Sequence, residues 1–74
     1  MNKDEFKALI VNNGKKWLTD VVTVDGQQVG IKAYGLWVQR ITCNGLTSSS
    51  SMHTTKRDFR AEVGSLVDSM VKPL

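Results

Sequence analysis

The dipeptides Asp25-Gly26 and Asn44-Gly45 constrain the fold of this chain more than any other feature. Each is a strong signal for a two-residue β-hairpin turn, because a type I′ turn needs a positive φ at both central positions. The segment between them, residues 27–43, is rich in β-branched and aromatic residues. The sequence therefore predicts one long extended segment, paired with residues 16–24 on one side and with residues 46–52 on the other.

The positions of the two turns also predict which residues face each other. Two-residue loops pair Val22 with Val29 and Ile41 with Ser48, and alternation along each strand then gathers apolar side chains on one face. Residues 27–43 would extend to roughly 55 Å, so we expect a bend or bulge at Gly30 or Gly35. The predicted core face consists of Leu18, Val22, Val29, Ile31, Ala33, Trp37, Ile41, Cys43, Leu46 and Met52.

A helix is predicted before the strands and another after them. Asn2 and Glu5 have the spacing of a capping box, which predicts a helix at about residues 3–12. Thr55 and Asp58 form a similar pair and predict a second helix at about residues 56–71, with Pro73 beyond its end. The apolar stripe of that second helix is Phe59, Val63, Leu66, Val67 and Met70.

These elements predict a single domain over residues 1–74 with an α+β fold. Its expected architecture is an antiparallel three-stranded β-meander flanked by an N-terminal and a C-terminal helix (α-β-β-β-α). The serine run at residues 48–51 predicts a polar, solvent-facing edge strand or loop, because serine competes for backbone hydrogen bonds.

Composition narrows the class of protein. A hydrophobic content of 41% with 23% charged residues is ordinary for a globular protein. A single cysteine, Cys43, excludes a disulfide within the chain and favours a reducing compartment. The N-terminal residues carry acids where a signal peptide would be apolar, and no apolar run approaches the ~20 residues that span a membrane. We expect a cytoplasmic protein without membrane contact (in the host cell if it is phage-encoded, since lone small domains are common among phage accessory proteins).

The sequence contains no recognisable catalytic constellation. His53 and Cys43 are the only residues of their types, and the predicted register places them on opposite faces. Asp20 interrupts an apolar face, but it has no second catalytic residue at a recognisable spacing. We therefore predict a non-enzymatic protein with no cofactor or metal, and no small-molecule substrate is evident.

The face opposite the predicted core carries an apolar patch that needs an explanation. A helix could cover it, a protein partner or a second copy could bind it, or nucleic-acid bases could stack on its aromatic rings. Protein contact, as an adaptor, an inhibitor or a homodimer, is the favoured function, and nucleic-acid binding is the alternative. Trp37 is expected in the core and Trp17 nearer the surface. The patch consists of Trp17, Val21, Tyr34, Leu36 and Val38, flanked by Lys32, Arg40 and His53.

Charge is the feature that supports the alternative. The net charge is +3, and no acidic residue lies between Asp25 and Asp58. A basic sheet of this kind can face a polyanion. The basic residues that would meet phosphates are Lys32, Arg40, Lys56, Arg57 and Arg60.

In outline, the predicted order of one helix, three antiparallel strands and a second helix is similar to that of double-stranded-RNA-binding domains. Lys56-Arg57 stands at the start of the last helix, where that family has its phosphate-binding lysines. The resemblance implies contact with a nucleic-acid backbone through these two residues. The family's lysine-rich run and alanine-rich final helix are absent from this sequence, and we assign it to no family.

Overall fold

The computed structural model describes residues 1–72 and shows two helices flanking an antiparallel sheet, which confirms the predicted α+β class. The strands follow one another across the sheet in chain order as a meander. The meander has four strands because the long central segment folds into two, and the fourth strand is short. In chain order the elements are α1 (Lys3–Val11), β1 (Trp17–Val24), β2 (Gln27–Tyr34), β3 (Trp37–Cys43), β4 (Leu46–Ser48) and α2 (Lys56–Met70).

Both predicted hairpin turns are present. Asp25 and Asn44 have φ values of 49° and 52°, and the glycine after each also has a positive φ, as type I′ turns require. The predicted register is confirmed at both turns, since Val22 pairs with Val29 and Ile41 pairs with Ser48.

The central segment reverses direction at Gly35. Tyr34 pairs with Trp37 across a two-residue loop, and Gly35 at the first loop position has a φ of 58°. A positive φ at this position alone is the pattern of a type II′ hairpin turn, which favours glycine there. The bend that was expected at Gly30 or Gly35 is therefore a complete hairpin, and Gly30 lies within β2.

A β-bulge at Gln39 changes which side chains of β3 face the core. Lys32 pairs with Arg40 and Ala33 pairs with Val38, so Gln39 is the extra residue on β3. Val38 is consequently buried, at 1% exposure, and Trp37 lies on the opposite face. The assignments of Trp37 to the core and of Val38 to the exposed patch were wrong.

The turn and the bulge together explain why the rest of the predicted core face is correct. A two-residue turn reverses the alternation of side chains, and one extra residue reverses it again. Ile41 and Cys43 are therefore buried as predicted. Leu46 and Met52 are exposed instead. Leu46 lies on β4, a short edge strand that the helices do not cover, and Met52 lies beyond β4 in the segment before α2.

One hydrophobic core joins both helices to one face of the sheet. Leu18, Val22, Leu36 and Leu66 are half-buried against it. Its buried members are Phe6, Ile10, Val11, Val24, Val29, Ile31, Ala33, Val38, Ile41, Cys43, Phe59, Val63, Val67, Met70 and Val71.

The helix boundaries agree with prediction to within one residue. The capping box of α1 is present, since Asn2 Oδ1 accepts from the Glu5 backbone N–H and Glu5 Oε1 accepts from the Asn2 N–H. Thr55 Oγ1 accepts from the backbone N–H of Asp58 at the start of α2. Pro73 lies outside the described residues. Neither helix within residues 1–72 is long and apolar enough to cross a bilayer.

The serine run after β4 is more ordered than the sequence indicated. Ser50 is buried, and its hydroxyl accepts a 2.8 Å hydrogen bond from the backbone N–H of Val38. The Ser50 N–H in turn donates to the Val38 carbonyl, and further along the His53 N–H donates to the Leu36 carbonyl at 3.1 Å. These bonds hold residues 50–53 beside β3, so the chain runs directly into α2.

Gln27 is a buried polar residue that connects two segments distant in sequence. Its Nε2 donates to the Lys72 carbonyl, and its Oε1 accepts a 2.8 Å hydrogen bond from Asn44 Nδ2. The side chain thus ties the hairpin turn between β3 and β4 to the chain that leaves α2. A buried side-chain amide whose hydrogen bonds are satisfied is compatible with a stable fold, whereas a buried amide without partners would destabilise the fold.

The outer edge of β1 is partly occupied by the chain itself. The Met1 amino group donates to the Thr23 carbonyl, and the Asp25 N–H donates to the Met1 carbonyl. Further along the strand, Asp20 Oδ1 accepts a 2.8 Å hydrogen bond from the Val21 N–H. Since Thr23 presents its carbonyl outward and alternate residues share an orientation, the bonded Val21 N–H also belongs to this edge.

Alanine substitutions at Gly35 and Gly64 are expected to change stability in opposite directions. Neither position has an atom within 4 Å that an added Cβ would meet. Gly35→Ala should destabilise the fold by about 1–2 kcal/mol, because a positive φ is unfavourable for alanine. Gly64→Ala should stabilise it by about 0.5–1 kcal/mol, because Gly64 lies inside α2.

Urea unfolding of the two variants beside the parent protein measures both effects. Each variant adds one methyl group, so the pair separates backbone conformation from hydrophobicity. A Gly35→Ala variant at least as stable as the parent would contradict the type II′ turn.

Candidate functional site

The face of the sheet opposite the helices is uncovered within residues 1–72. Trp17 and Val21 on this face are 53% and 65% exposed. Strand alternation and the observed pairing define its members, which we call the open face. The open face consists of Trp17, Thr19, Val21, Thr23, Gln28, Gly30, Lys32, Tyr34, Trp37, Arg40, Thr42 and Thr47.

Three aromatic side chains meet at one end of the open face and form what we call the aromatic cluster, Trp17, Tyr34 and Trp37. Trp17 pairs with Tyr34 across β1 and β2, and Tyr34 pairs with Trp37 across the Gly35 turn. The ring centroids of Trp17 lie 5.2 Å from Tyr34 and 6.3 Å from Trp37, in tilted and edge-on arrangements. Such arrangements are favourable between aromatic rings. The strand register therefore builds a contiguous aromatic surface that remains open to solvent.

Two basic side chains lie beside the aromatic cluster. The Lys32 ammonium is 5.4 Å from the centroid of the Trp17 ring, within the range of a cation–π interaction. Arg40 is the direct cross-strand partner of Lys32. Like charges in directly opposite positions of a sheet repel each other, so this pair lowers stability unless an anion is present.

The acidic residues do not offset these charges. None of the open-face positions carries a carboxylate, and the Asp20 carboxylate accepts the Val21 N–H on the edge of β1. On the helix side, Asp68 pairs with Lys7 at 3.0 Å and with Lys3 at 3.6 Å. The hydrogen bond from Lys7 lowers the pKa of Asp68. No acidic side chain of the open face therefore balances the positive charge of Lys32 and Arg40.

A groove of about 630 Å³, which we call the end groove, adjoins the aromatic cluster at the end of the sheet. Tyr34 and Trp37 contribute to it from the open face, and Leu36 contributes from the turn between them. Met52 and His53 come from the segment before α2. The backbone of that turn is fixed by a 3.1 Å hydrogen bond from the Gly35 N–H to the Gly14 carbonyl.

His53 is held on the helix side of the sheet, so its assignment to the exposed patch was wrong. Its Nε2 lies 2.5 Å from Glu62 Oε1, and its ring centroid is 6.0 Å from that of Phe59. The hydrogen bond with His53 lowers the pKa of Glu62, although burial acts to raise it. The hydrogen bond from the Ser51 N–H lowers this pKa further. This pair fastens the segment before α2 to the helix. Within residues 1–72, no three His, Cys, Asp or Glu side chains are grouped as a metal site requires.

The structure brings together only some of the residues predicted to form the site. Trp17, Lys32, Tyr34 and Arg40 lie on the open face as expected, whereas Val38 is in the core.

The remaining predicted residues lie away from the open face. Leu36 is half-buried and lines the end groove, as does the exposed Lys56. Arg57 and Arg60 are exposed on α2. Arg57 Nε lies 3.6 Å from Asp58 Oδ1.

Two residues near the site were missed by sequence reasoning. Trp37 joins the aromatic cluster because of the Gly35 turn, and the single glycine followed by Leu36 is the only local signal for that turn. Lys15 lines the end groove. No sequence signal marks Lys15, because the groove is formed by segments far apart in the chain.

No protein-family model, no curated protein and no solved structure matches this chain significantly.

Proposed function

We propose that this protein binds single-stranded nucleic acid on the open face. Bases stack on the aromatic cluster, and the phosphates that join them contact Lys32 and Arg40. The observation that carries the proposal is the placement of Lys32 directly opposite Arg40, beside three aromatic rings and on a face without a carboxylate. A phosphate between the two strands relieves the repulsion between these side chains, because it is attracted by both.

Single strands fit this surface better than duplexes do. Aromatic side chains on a sheet can stack only on bases that are free of their own stack, and such contacts accept many sequences. The open face offers rings on neighbouring strands, at Trp17, Tyr34 and Trp37, which suits successive unpaired bases. A duplex would present its phosphates to the same rings and bury none of its bases against them.

Contact with another protein, or with a second copy of this chain, is the second candidate function. The exposure of Val21 and Trp17 supports it, because aromatic residues are enriched at protein interfaces. The patch on which this function rested differs from the predicted one, since Val38 is buried and Leu36 is half-buried, whereas Trp37 has joined it. The aromatic and basic residues remain, and they are the part that nucleic acid would use.

The proposal is tested by titrating labelled oligonucleotides of about 12 nucleotides, single-stranded and duplex, at ~50 and ~200 mM salt. With two to four phosphate contacts, affinity for the single strand should fall about 7- to 50-fold between these salt concentrations. Trp17→Ala should weaken binding by about 1–3 kcal/mol, the usual contribution of one stacked base. The duplex should bind more weakly than the single strand.

Charge variants separate phosphate contact from general electrostatics. Lys32→Ala and Arg40→Ala should each lower the slope of log affinity against log salt by about 0.7. Lys72→Ala removes one charge near the Gln27 end of the sheet, away from the aromatic cluster, and should leave the slope unchanged. Equal effects of all three variants, or no single-strand binding at ~50 mM salt, would contradict the proposal.

Sedimentation of the pure protein tests the second candidate. A dimer that resists salt and dissociates in Trp17→Ala would show that the open face joins two copies. A monomer whose binding to oligonucleotides depends on salt supports the nucleic-acid function.

A further inference from the structure

We infer that the end groove is a subsite for the terminal nucleotide of the bound strand, with its base against Tyr34, Leu36 and Trp37 and its terminal phosphate at Lys15 and Lys56. This inference rests on the proposed function, because the strand is held by the open face and only its end enters the groove. It adds a preference for strand ends that the open face alone would not have.

The size and lining of the groove fit a nucleotide. Its volume of about 630 Å³ lies within the range of about 300–1,000 Å³ that small-molecule sites occupy. Apolar and aromatic side chains with few polar groups are the usual lining of such sites. Met52 at the rim is 75% exposed. Its flexible thioether side chain can adapt to a planar group that enters.

The charges around the groove fit an anion. Lys15 and Lys56 both line it, and neither is in an ion pair within residues 1–72. None of the described residues that line the groove is acidic. Glu62 does not itself line the groove, and its Oε1 is bonded to His53 Nε2 and to the Ser51 N–H rather than to either lysine. A group with both an aromatic ring and a phosphate matches the lining and the charge at once.

The groove is continuous with the open face. Tyr34 and Trp37 belong to both surfaces, so a nucleotide in the groove would connect directly to bases stacked on the aromatic cluster. The segments that form the groove are joined by backbone hydrogen bonds, from Gly35 to Gly14 and from His53 to Leu36, both at 3.1 Å. The groove is therefore formed before the ligand arrives, and binding does not have to order it.

The methionine methyl groups provide a direct readout. The probes are thymidine, thymidine 5′-monophosphate and thymidine 3′-monophosphate, added to protein labelled at the methionine methyl groups and followed by NMR. The Met52 methyl signal should shift on addition of one of the monophosphates and respond much less to thymidine. The signals of Met70, in the core, and of Met1, beside Thr23, are internal controls that should not move.

Oligonucleotides with and without a terminal phosphate test the subsite within the full complex. A phosphate at the preferred end should raise affinity about 5-fold, as expected for contacts with exposed lysines. Lys15→Ala and Lys56→Ala should remove that gain, so that each variant binds the phosphorylated and the unphosphorylated strand with nearly the same affinity. Arg60→Ala, an exposed cation on α2 that does not line the groove, is the matched control and should keep the gain.

The subsite and the proposed function can fail separately. If oligonucleotides bind in a salt-dependent manner but a phosphate at neither end matters and the Met52 signal does not move, the subsite is refuted and the open face remains. If a monophosphate shifts Met52 but oligonucleotides do not bind, the proposed function is refuted, and with it the role of the groove for strand ends.

Discussion

Val38→Asp is expected to unfold the protein. The Val38 side chain is 1% exposed, and the residue faces Ala33 from the inner side of β3. A carboxylate at this position would be buried without a partner, which costs several kcal/mol even after the surroundings relax. A single core in a domain of this size rarely supplies more than about 3–5 kcal/mol, so this loss exceeds what the fold can sustain.

Gln39→Asp, one residue further along, is the matched control. Gln39 is the exposed extra residue of the bulge, and surface changes of this kind usually alter stability by less than about 0.5 kcal/mol. Thermal unfolding followed by circular dichroism distinguishes the two variants. A folded Val38→Asp protein would show that β3 has no bulge and that Val38 faces solvent.

Phe59→Ala should have the second-largest effect, a loss of about 3–5 kcal/mol. Phe59 is fully buried at the start of α2 and belongs to the one hydrophobic core. Removing the ring leaves a cavity between the helix and the sheet that neighbouring side chains can fill only in part. Urea unfolding should show either a much lower midpoint or no cooperative transition.

Trp37→Ala provides the comparison, because it removes a larger side chain from a less buried position. Trp37 is half-buried on the open face, so its loss should destabilise the fold less than that of Phe59. Trp17→Ala, at a more exposed position still, should have a smaller effect again. A Trp37→Ala variant less stable than Phe59→Ala would return Trp37 to the core and contradict the Gly35 turn.

The elements that the sequence predicted well are those set by local backbone chemistry. Asp25-Gly26 and Asn44-Gly45 each need a positive φ that few other dipeptides tolerate, and this requirement determined both turns and their register. The capping box of Asn2 and Glu5 placed α1 for the same reason. In each case the residues that determine the structure are neighbours in the chain.

The features that were missed depend on residues distant in sequence. The bulge at Gln39 accompanies the pairing of Val38 with Ser50, twelve positions away, and no pattern within β3 reveals that contact. The Gly35 turn has only one glycine, so its signal is weaker than that of the two Asx-Gly turns. Because the turn and the bulge each shift the alternation by one residue, the errors within residues 27–43 are confined to the short stretch between them.

The candidate site likewise has one part that the sequence predicted, on the open face, and one part that it did not, the end groove. Trp17, Lys32 and Tyr34 were placed on one face by the register of the first hairpin. The placement of Arg40 on the same face is correct because the Gly35 turn and the bulge each reverse the alternation of side chains. The end groove could not be predicted, because it is formed by the end of α1, the Gly35 turn and the segment before α2. Only the folded chain brings these three segments together.

The hydrogen bonds along the edge of β1 affect whether further copies of this protein can add to the sheet at that edge. An unpaired edge strand is a template onto which further chains can add, and repeated addition leads to fibres and precipitates. The Val21 N–H donates to the Asp20 carboxylate, and the Thr23 carbonyl accepts from the Met1 amino group. An incoming strand would therefore find both backbone groups already hydrogen-bonded. The Asp20 carboxylate also adds a charge that a second β1 strand would bring against its own copy. The protein can therefore present a broad sheet face to a ligand while the β1 edge beside that face resists the addition of a further strand.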